Sequence, residues 1–330
     1  MKRPQTRIAV LGDGAWGTTL ALHLHRIGHD VLWWSAFPEY AKQLNRQRLN
    51  MKYLPGIRIP KSLRITSNIA DALSARIIVL TIPSQHLRAA IRPLSGSSLG
   101  GTVFVTAAKG LERTSLKRMS QVITDELGHV TVAVLSGPNI AMEIAQGYPA
   151  SSVIASANPK IAAELQTLFM DERLRFYTSP DPIGVELGGA LKNPIAIAAG
   201  IGDGLGFGAN AKASLITRGV VEMTQLGVAL GAQAHTFWGL SGLGDLVTTC
   251  LSGRNRWVGE QLGKGKSLRT ALSAAPVVFE GVETSAAAVK LGRAYHLELP
   301  IIEQVHAILF KHRAPRAALQ ALMSRPGTPE

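Results

Sequence analysis

Short apolar runs rich in β-branched residues alternate with helical or loop segments through the first half of the chain. Residues 7–11, 31–34, 76–82, 102–107, 131–135 and 152–155 each have the length and composition of a buried strand. Between the first two, Leu20, Ala21, Leu24 and Ile27 recur on one helical face, and Gly28 stands where a helix would stop. This alternation predicts an α/β fold with a doubly wound, largely parallel sheet. After Pro180 and Pro182 the texture changes. Residues 183–199 and 211–230 are long Ala-, Gly- and Leu-rich stretches without β-branched runs between turns, which predicts a C-terminal all-helical domain. The boundary is placed near 180, giving domains 1–180 and 181–330. No internal repeat or low-complexity array is found.

A chain of 330 residues is long enough for two domains and buries about 75% of its unfolded surface without covalent staples. Its single cysteine, Cys250, excludes an internal disulfide framework. No Cys/His spacing suits zinc, so no metal site is expected. No apolar run approaches the ~20 residues of a membrane helix. The basic start, residues 1–7, precedes an apolar stretch at 8–11 that is far shorter than the ~7–15 residues of a secretion-signal core. A soluble cytoplasmic protein is therefore expected.

Charge sharpens the picture. The formal net charge is +13, and residues 1–180 hold most of the excess, with 21 bases against 11 acids. Between Glu39 and Asp71 stand Lys42, Arg46, Arg48, Lys52, Arg58, Lys61 and Arg64, with no acid among them. Such a surplus is either a solvated face or an attraction for anions. Aromatics make up only 5% of the chain and no helix-turn-helix, zinc-finger or RNA-binding signature is present. Nucleic acid is thus not expected as a partner, and small phosphorylated molecules are the anions to consider.

Candidate chemistry begins at Gly12-Asp13-Gly14-Ala15-Trp16-Gly17, between the first strand and the first helix. The first glycine permits a tight turn, the second lets backbone approach a pyrophosphate, and the third allows close helix-to-strand packing. The helix start then supplies amides and positive dipole. A dinucleotide is expected there. Its type stays open, because Trp34-Ser35-Ala36-Phe37 ends the second strand with neither an acid for the ribose hydroxyls of NAD nor a base for the extra phosphate of NADP. The Ser35 hydroxyl suits either, and the nearest acid is Glu39. Four polar constellations follow. Lys109-Gly110 ends a strand where it can meet an anionic substrate. Ser136-Gly137-Pro138-Asn139 is a turn with amides to offer. Lys192-Asn193 lies in an otherwise uncharged helical stretch at 187–202, and burial lowers a lysine pKa into the acid/base range. Gly244-Asp245 and then Ser252-Gly253-Arg254-Asn255-Arg256 form a possible phosphate cradle. Cys250 lies inside it and is read as a packing residue, as the Met and Trp residues are read as core.

Together these motifs closely resemble the soluble NAD(P)-dependent sn-glycerol-3-phosphate dehydrogenase family. They are residues 12–18, Lys109-Gly110, Ser136 to Asn139, Glu186 to Asn193, Gly244-Asp245-Leu246, Gly253-Arg254-Asn255 and Glu280-Gly281, spread over nearly the whole chain. The resemblance implies a Rossmann-type domain followed by a helical substrate-binding and dimerisation domain. It implies reversible conversion of sn-glycerol 3-phosphate and dihydroxyacetone phosphate with NAD or NADP, feeding glycerophospholipid synthesis, by a homodimer. By position, Lys192 matches the catalytic proton donor and acceptor, and Lys109, Asn193 and Asp245 its supporting polar residues. Gly137, Asn139, Gly253, Arg254 and Asn255 join Lys109, Lys192 and Asp245 as substrate positions. Gly12, Gly14, Ala15, Trp16, Gly17, Ala36, Lys109, Ala141, Arg254, Val278 and Glu280 match cofactor contacts.

Three positions depart from the family pattern. Ala36 stands where Arg or His is frequent, Asp13 where Ala or Ser is usual, and Pro194 where an aliphatic residue is usual; a proline there is expected to kink the helix. Two other readings stand beside this one: a related reductase for another small oxo acid, which needs no phosphate cradle, and a non-enzymatic dinucleotide-binding scaffold, which needs no lysine beside the nicotinamide.

Overall fold

The computed structural model describes residues 5–274 and 278–327. It comprises two compact units, one formed by residues up to Ala108 with Arg118–Pro182, the other by Lys109–Lys117 with Ile183 onward. The short segment Lys109–Lys117 interrupts the first unit in sequence but packs with the second, because Leu111 and Leu116 lie in the helical core.

Among the described residues the first unit has ten strands: β1 Arg7–Leu11, β2 Asp30–Trp34, β3 Leu49–Asn50, β4 Leu54–Arg58, β5 Arg64–Thr66, β6 Ile77–Leu80, β7 Val103–Thr106, β8 Thr131–Ser136, β9 Ala150–Ala155 and β10 Leu174–Ser179. Eight of them form one sheet in the order β10-β9-β8-β7-β6-β1-β2-β5, and β3 and β4 make a separate antiparallel pair. Every neighbouring pair in the large sheet is parallel except β8 with β9. The chain leaves β1 for β2 on one side and returns to β6 on the other, so the crevice at the carboxyl end of β1 is the switch point where α/β sheets bind ligands. The continuous apolar runs are the inner strands β1, β6 and β7, whose side chains are buried almost throughout. The two outermost strands, β5 and β10, were not expected from the sequence; both are partly solvated and carry no continuous apolar run.

The second unit is helical. Its centre is the helix Pro182–Gly204, buried without interruption from Gly184 to Ile197. A helix apolar all round must be covered on every side. The helix continues across Pro194. Glycines bring its neighbours to backbone contact. A methyl group on Gly200 would overlap the Arg256 carbonyl, one on Gly259 the Ile197 carbonyl, and one on Gly263 the Ile201 carbonyl. At these glycines the helix Arg254–Gly263 therefore meets Pro182–Gly204 with no side chain between the two backbones. Elsewhere in this unit the buried Glu222 carboxylate accepts from the amides of Ile301 (2.6 Å) and Ile302 (3.1 Å), capping the helix Pro300–Phe310, and burial pushes its pKa up to about 7. Among the described residues, no helix is long and apolar enough to cross a membrane.

The helix crossing is open to test. Gly259→Ala should lower the melting temperature by at least about 2 °C in differential scanning calorimetry, because overpacking against fixed backbone costs about 1–3 kcal/mol. Gly202→Ala, on the same central helix but with only an ordinary 3.7 Å contact to Phe207, should leave it unchanged or slightly higher.

Candidate active site

In the second unit the polar chemistry converges on one carboxylate. Asp245 is buried at the first residue of the helix Asp245–Leu251, which continues directly from the π-helical turn Leu240–Gly244. Its Oδ2 accepts from Lys109 Nζ at 2.7 Å, and its Oδ1 accepts from Lys192 Nζ. Lys192 Nζ also donates to Thr249 Oγ1 at 2.5 Å, and the Thr249 hydroxyl donates to the Asp245 carbonyl at 2.7 Å. The 245/249 spacing places both acceptors for Lys192 on one helix face. Gly242 and Gly188 give the segment before Asp245 room: a methyl on Gly188 would lie 2.7 Å from the Ser241 carbonyl oxygen.

Two ammonium groups thus share one carboxylate, and Lys192 itself is only 6% exposed. Burial lowers its pKa to about 8; Asp245 pulls it back up, and the second ammonium on Lys109 pushes it down. A lysine in this state carries its proton at neutral pH and can release it to a modest base.

Asn193, the next residue on the central helix, donates to the Lys109 carbonyl at 3.2 Å. Its Oδ1 accepts from Asn255 Nδ2 at 2.9 Å, and Asn255 Oδ1 accepts from the Gly281 amide at 3.1 Å. This chain of amides ties the Lys109 segment to three helices: Pro182–Gly204, Arg254–Gly263 and Glu280–Ala294. Gly281 has no room for a side chain, since a methyl would lie 2.8 Å from Asn255 Oδ1. Gly253 takes φ +123°, a left-handed turn that only glycine adopts readily, and delivers the chain into the Arg254–Gly263 helix. Arg254, at its first position, is exposed, with Glu280 as a nearby opposite charge. Val278 lies exposed just before Glu280. Cys250 is fully buried with its thiol pushed up to about 12 by burial, as a packing residue would be.

The first unit carries the glycine turn. Gly12 takes φ +123°, and a methyl there would meet Thr81 Oγ1, at the end of β6, at 2.5 Å. A methyl on Gly17 would overlap the Gly12 carbonyl, so this glycine permits the helix Ala15–Arg26 to sit against the turn. Gly14 differs, for no described atom lies within 4 Å of where its Cβ would be. Among the described residues no side chain caps this helix, and its first turn has no acid. An open, uncapped helix start behind a glycine cradle fits a pyrophosphate. The Trp16 indole N–H is buried without a partner among the described residues. Ala141 lies beside this helix, its carbonyl accepting from Thr19 Oγ1 at 3.0 Å, and Ala36 is exposed just past β2.

Asp13 does not face the open cradle at Gly14 alone: its carboxylate accepts from the Ser35 hydroxyl at the end of β2, and burial raises its pKa. Gly137, at φ +148°, and Asn139 form a turn fixed to β9, with Ser152 Oγ donating to Asn139 Oδ1 at 2.7 Å.

The structure adds residues to which the sequence motifs gave no role. Thr249 is one. Asn50 is another: fully buried, it donates to the Asp13 carbonyl (2.8 Å) and to Thr18 Oγ1 (2.7 Å) while accepting from the Tyr40 hydroxyl (2.6 Å) and the Tyr53 amide (3.1 Å). It lies within the basic stretch, several of whose charges have structural partners. Arg48 donates to the carbonyls of Pro60 and Leu63, Arg64 pairs with Asp30 at 2.8 Å, and Lys42 pairs with Glu39 at 2.8 Å. Arg46, Arg58 and Lys61 are exposed.

Comparison with known proteins accounts for both units. A family model described as NAD-dependent glycerol-3-phosphate dehydrogenase N-terminus matches residues 7–162, and one described as the C-terminus of the same enzyme matches residues 181–320. The chain is 47% identical over 325 residues to a protein of Chlorobium phaeobacteroides named glycerol-3-phosphate dehydrogenase (NAD(P)+), covering 97% of this chain and 98% of that one. A Moorella thermoacetica protein of the same name is 47% identical over 326 residues, covering 98% and 97%. Among solved structures, glycerol-3-phosphate dehydrogenase from Coxiella burnetii superposes with a TM-score of 0.93 at 36% identity, covering 97% of this chain and 99% of that one.

The shared carboxylate makes a measurable prediction. In Asp245→Asn the raising influence on Lys192 is lost while desolvation and Lys109 remain, so its pKa should move further below about 8. Side-chain nitrogen NMR of lysine-labelled protein would follow this, and an unmoved Lys192 resonance would contradict the electrostatic account.

Proposed function

The chain belongs to the NAD-dependent glycerol-3-phosphate dehydrogenase family, and from that premise we propose that it interconverts sn-glycerol 3-phosphate and dihydroxyacetone phosphate. The observation that carries the reading is the buried Lys192–Asp245–Lys109 cluster, with Arg254 at a helix start in the same unit. When bound, the nicotinamide dinucleotide supplies or accepts the hydride at C2 of the substrate. The protein's part is to bind, orient and move a proton.

In the reductive direction Lys192, as an ammonium, polarises the substrate carbonyl and donates its proton to the oxygen as negative charge develops there. In the oxidative direction neutral Lys192 removes the hydroxyl proton. Burial, opposed by Asp245 and aided by Lys109, keeps this lysine exchangeable near pH 8, and Thr249 and Asp245 aim its Nζ. Gly253, Arg254 and Asn255 hold the phosphate through a guanidinium and helix-start amides, so that binding energy remote from C2 positions it. Asn193 keeps the Lys109 segment in place, and Gly137 and Asn139 contribute a turn on the first unit.

Gly12, Gly14 and Gly17 form the dinucleotide cradle with Ala15 and Trp16, and Ala36, Lys109, Ala141, Arg254, Val278 and Glu280 are further contacts. On this reading residues 1–180 bind the dinucleotide, and 181–330 bind the substrate and pair two copies of the chain in the cytoplasm. The product enters glycerophospholipid synthesis. A reductase for a different oxo acid would leave the Arg254 site without purpose, and a binding scaffold would leave the lysine pair so.

Three measurements test the reading. Oxidation of NADH or NADPH should depend on dihydroxyacetone phosphate and be absent with dihydroxyacetone; no absorbance change with either dinucleotide would refute it. Lys192→Ala should lower kcat at least ~100-fold while dinucleotide affinity stays nearly intact. In the wild type, kcat/KM for reduction should fall as pH rises through about 8, where Lys192 loses its proton, and for oxidation it should rise over the same range.

A further inference from the structure

In sheets of this kind the adenosine ribose of a dinucleotide lies at the end of the second strand, where a carboxylate binds its 2′-hydroxyl. After β2 this chain reads Ser35-Ala36-Phe37-Pro38, and the next acid, Glu39, is exposed and paired with Lys42 at 2.8 Å. The structure nevertheless holds a carboxylate at that strand end, delivered from the glycine turn. Leu11 pairs with Trp34 in the β1–β2 register, so the residues just past each strand are neighbours, and the Ser35 hydroxyl donates to the Asp13 carboxylate. Both ends of Asp13 are fixed, because Asn50 holds its carbonyl at 2.8 Å.

We propose that Asp13, held at the end of β2 by Ser35, sets the choice of dinucleotide, favouring the free 2′-hydroxyl of NAD(H) and repelling the 2′-phosphate of NADP(H). The proposal rests on the reading of the glycine turn as the dinucleotide site. A phosphate at this place would need compensating cations. Ala36 and Phe37 offer none, Arg64 pairs with Asp30, and the Arg48 guanidinium donates to backbone carbonyls. Lys52 is the nearest competitor. Its ammonium lies 4.8 Å from the Tyr53 ring centre and 5.9 Å from that of Tyr40, and it interacts electrostatically with Asp13 itself. Lys52, the base whose charge acts on Asp13, is already matched to that acid.

The test is equilibrium binding of NADH and of NADPH to the purified protein, followed by nicotinamide fluorescence, without substrate. Wild type should bind NADH at least about tenfold more tightly than NADPH. Asp13→Asn keeps a partner for Ser35 but removes the charge, and Asp13→Ser removes both; each should narrow that ratio at least about fivefold, mainly by tightening NADPH. Thermal melts establish that each variant is folded, and Asp13→Asn serves if Asp13→Ser is not. Equal wild-type affinities, a preference for NADPH that Lys52→Ala abolishes, or an unchanged ratio in Asp13→Asn would overturn the role of Asp13 alone. Failure of wild type to bind either dinucleotide would instead overturn the reading of the turn on which it rests.

Discussion

A carboxylate with an ammonium group on each oxygen is the constraint around which the helical unit is arranged. Asp245 is buried, and a buried charge is tolerated only when paired and hydrogen-bonded. Two cations stand against one anion in a poorly solvated place; burial above all, with the second ammonium adding to it, keeps Lys192 from holding its proton as tightly as a surface lysine does, while Asp245 opposes both. The positive surplus is what an anionic, carbonyl-bearing substrate would neutralise. Removing either lysine would balance the pair and give an inert ion pair.

Holding such a surplus requires stiff surroundings. Glycine contacts press the helix Arg254–Gly263 onto the central helix at backbone distance, and the Asn193–Asn255–Gly281 hydrogen bonds join the same helices nearer the site. Stiffness on the first unit has a different origin. Asn50, from a hairpin outside the large sheet, fixes the carbonyl in the glycine turn, so part of the basic stretch is a clamp on that turn as well as a charged surface.

The fold was legible where burial alone decides it. Inner strands such as β1 and β6 are continuous apolar runs, while β5 and β10 at the sheet edges are half-solvated and leave no such trace. The segment carrying Lys109 follows a strand of the first unit and packs with the second, because its leucines, and not its place in the chain, decide where it is buried. Lys192 and Asp245 were recognisable as isolated charges in apolar or glycine-rich surroundings. Thr249 was not, being one of two adjacent threonines distinguished only by the helix face each occupies. Asn50 is a lone amide among bases, and its importance depends on a hairpin of very short strands. Asp13 stood out in the sequence as an oddity. What it does there depends on strand register, which aligns the ends of β1 and β2.

The glycine crossing has a consequence for substrate choice. Lys192 rides on one of the crossed helices and Arg254 opens the other, and at the glycine contacts no side chain lies between their backbones to compress or swing aside. The two helices consequently act as a caliper with a fixed gap. On the reading proposed above, in which Lys192 meets the carbonyl and Arg254 the phosphate, the spacing of the two helices sets the length of phosphorylated ketone that both can reach.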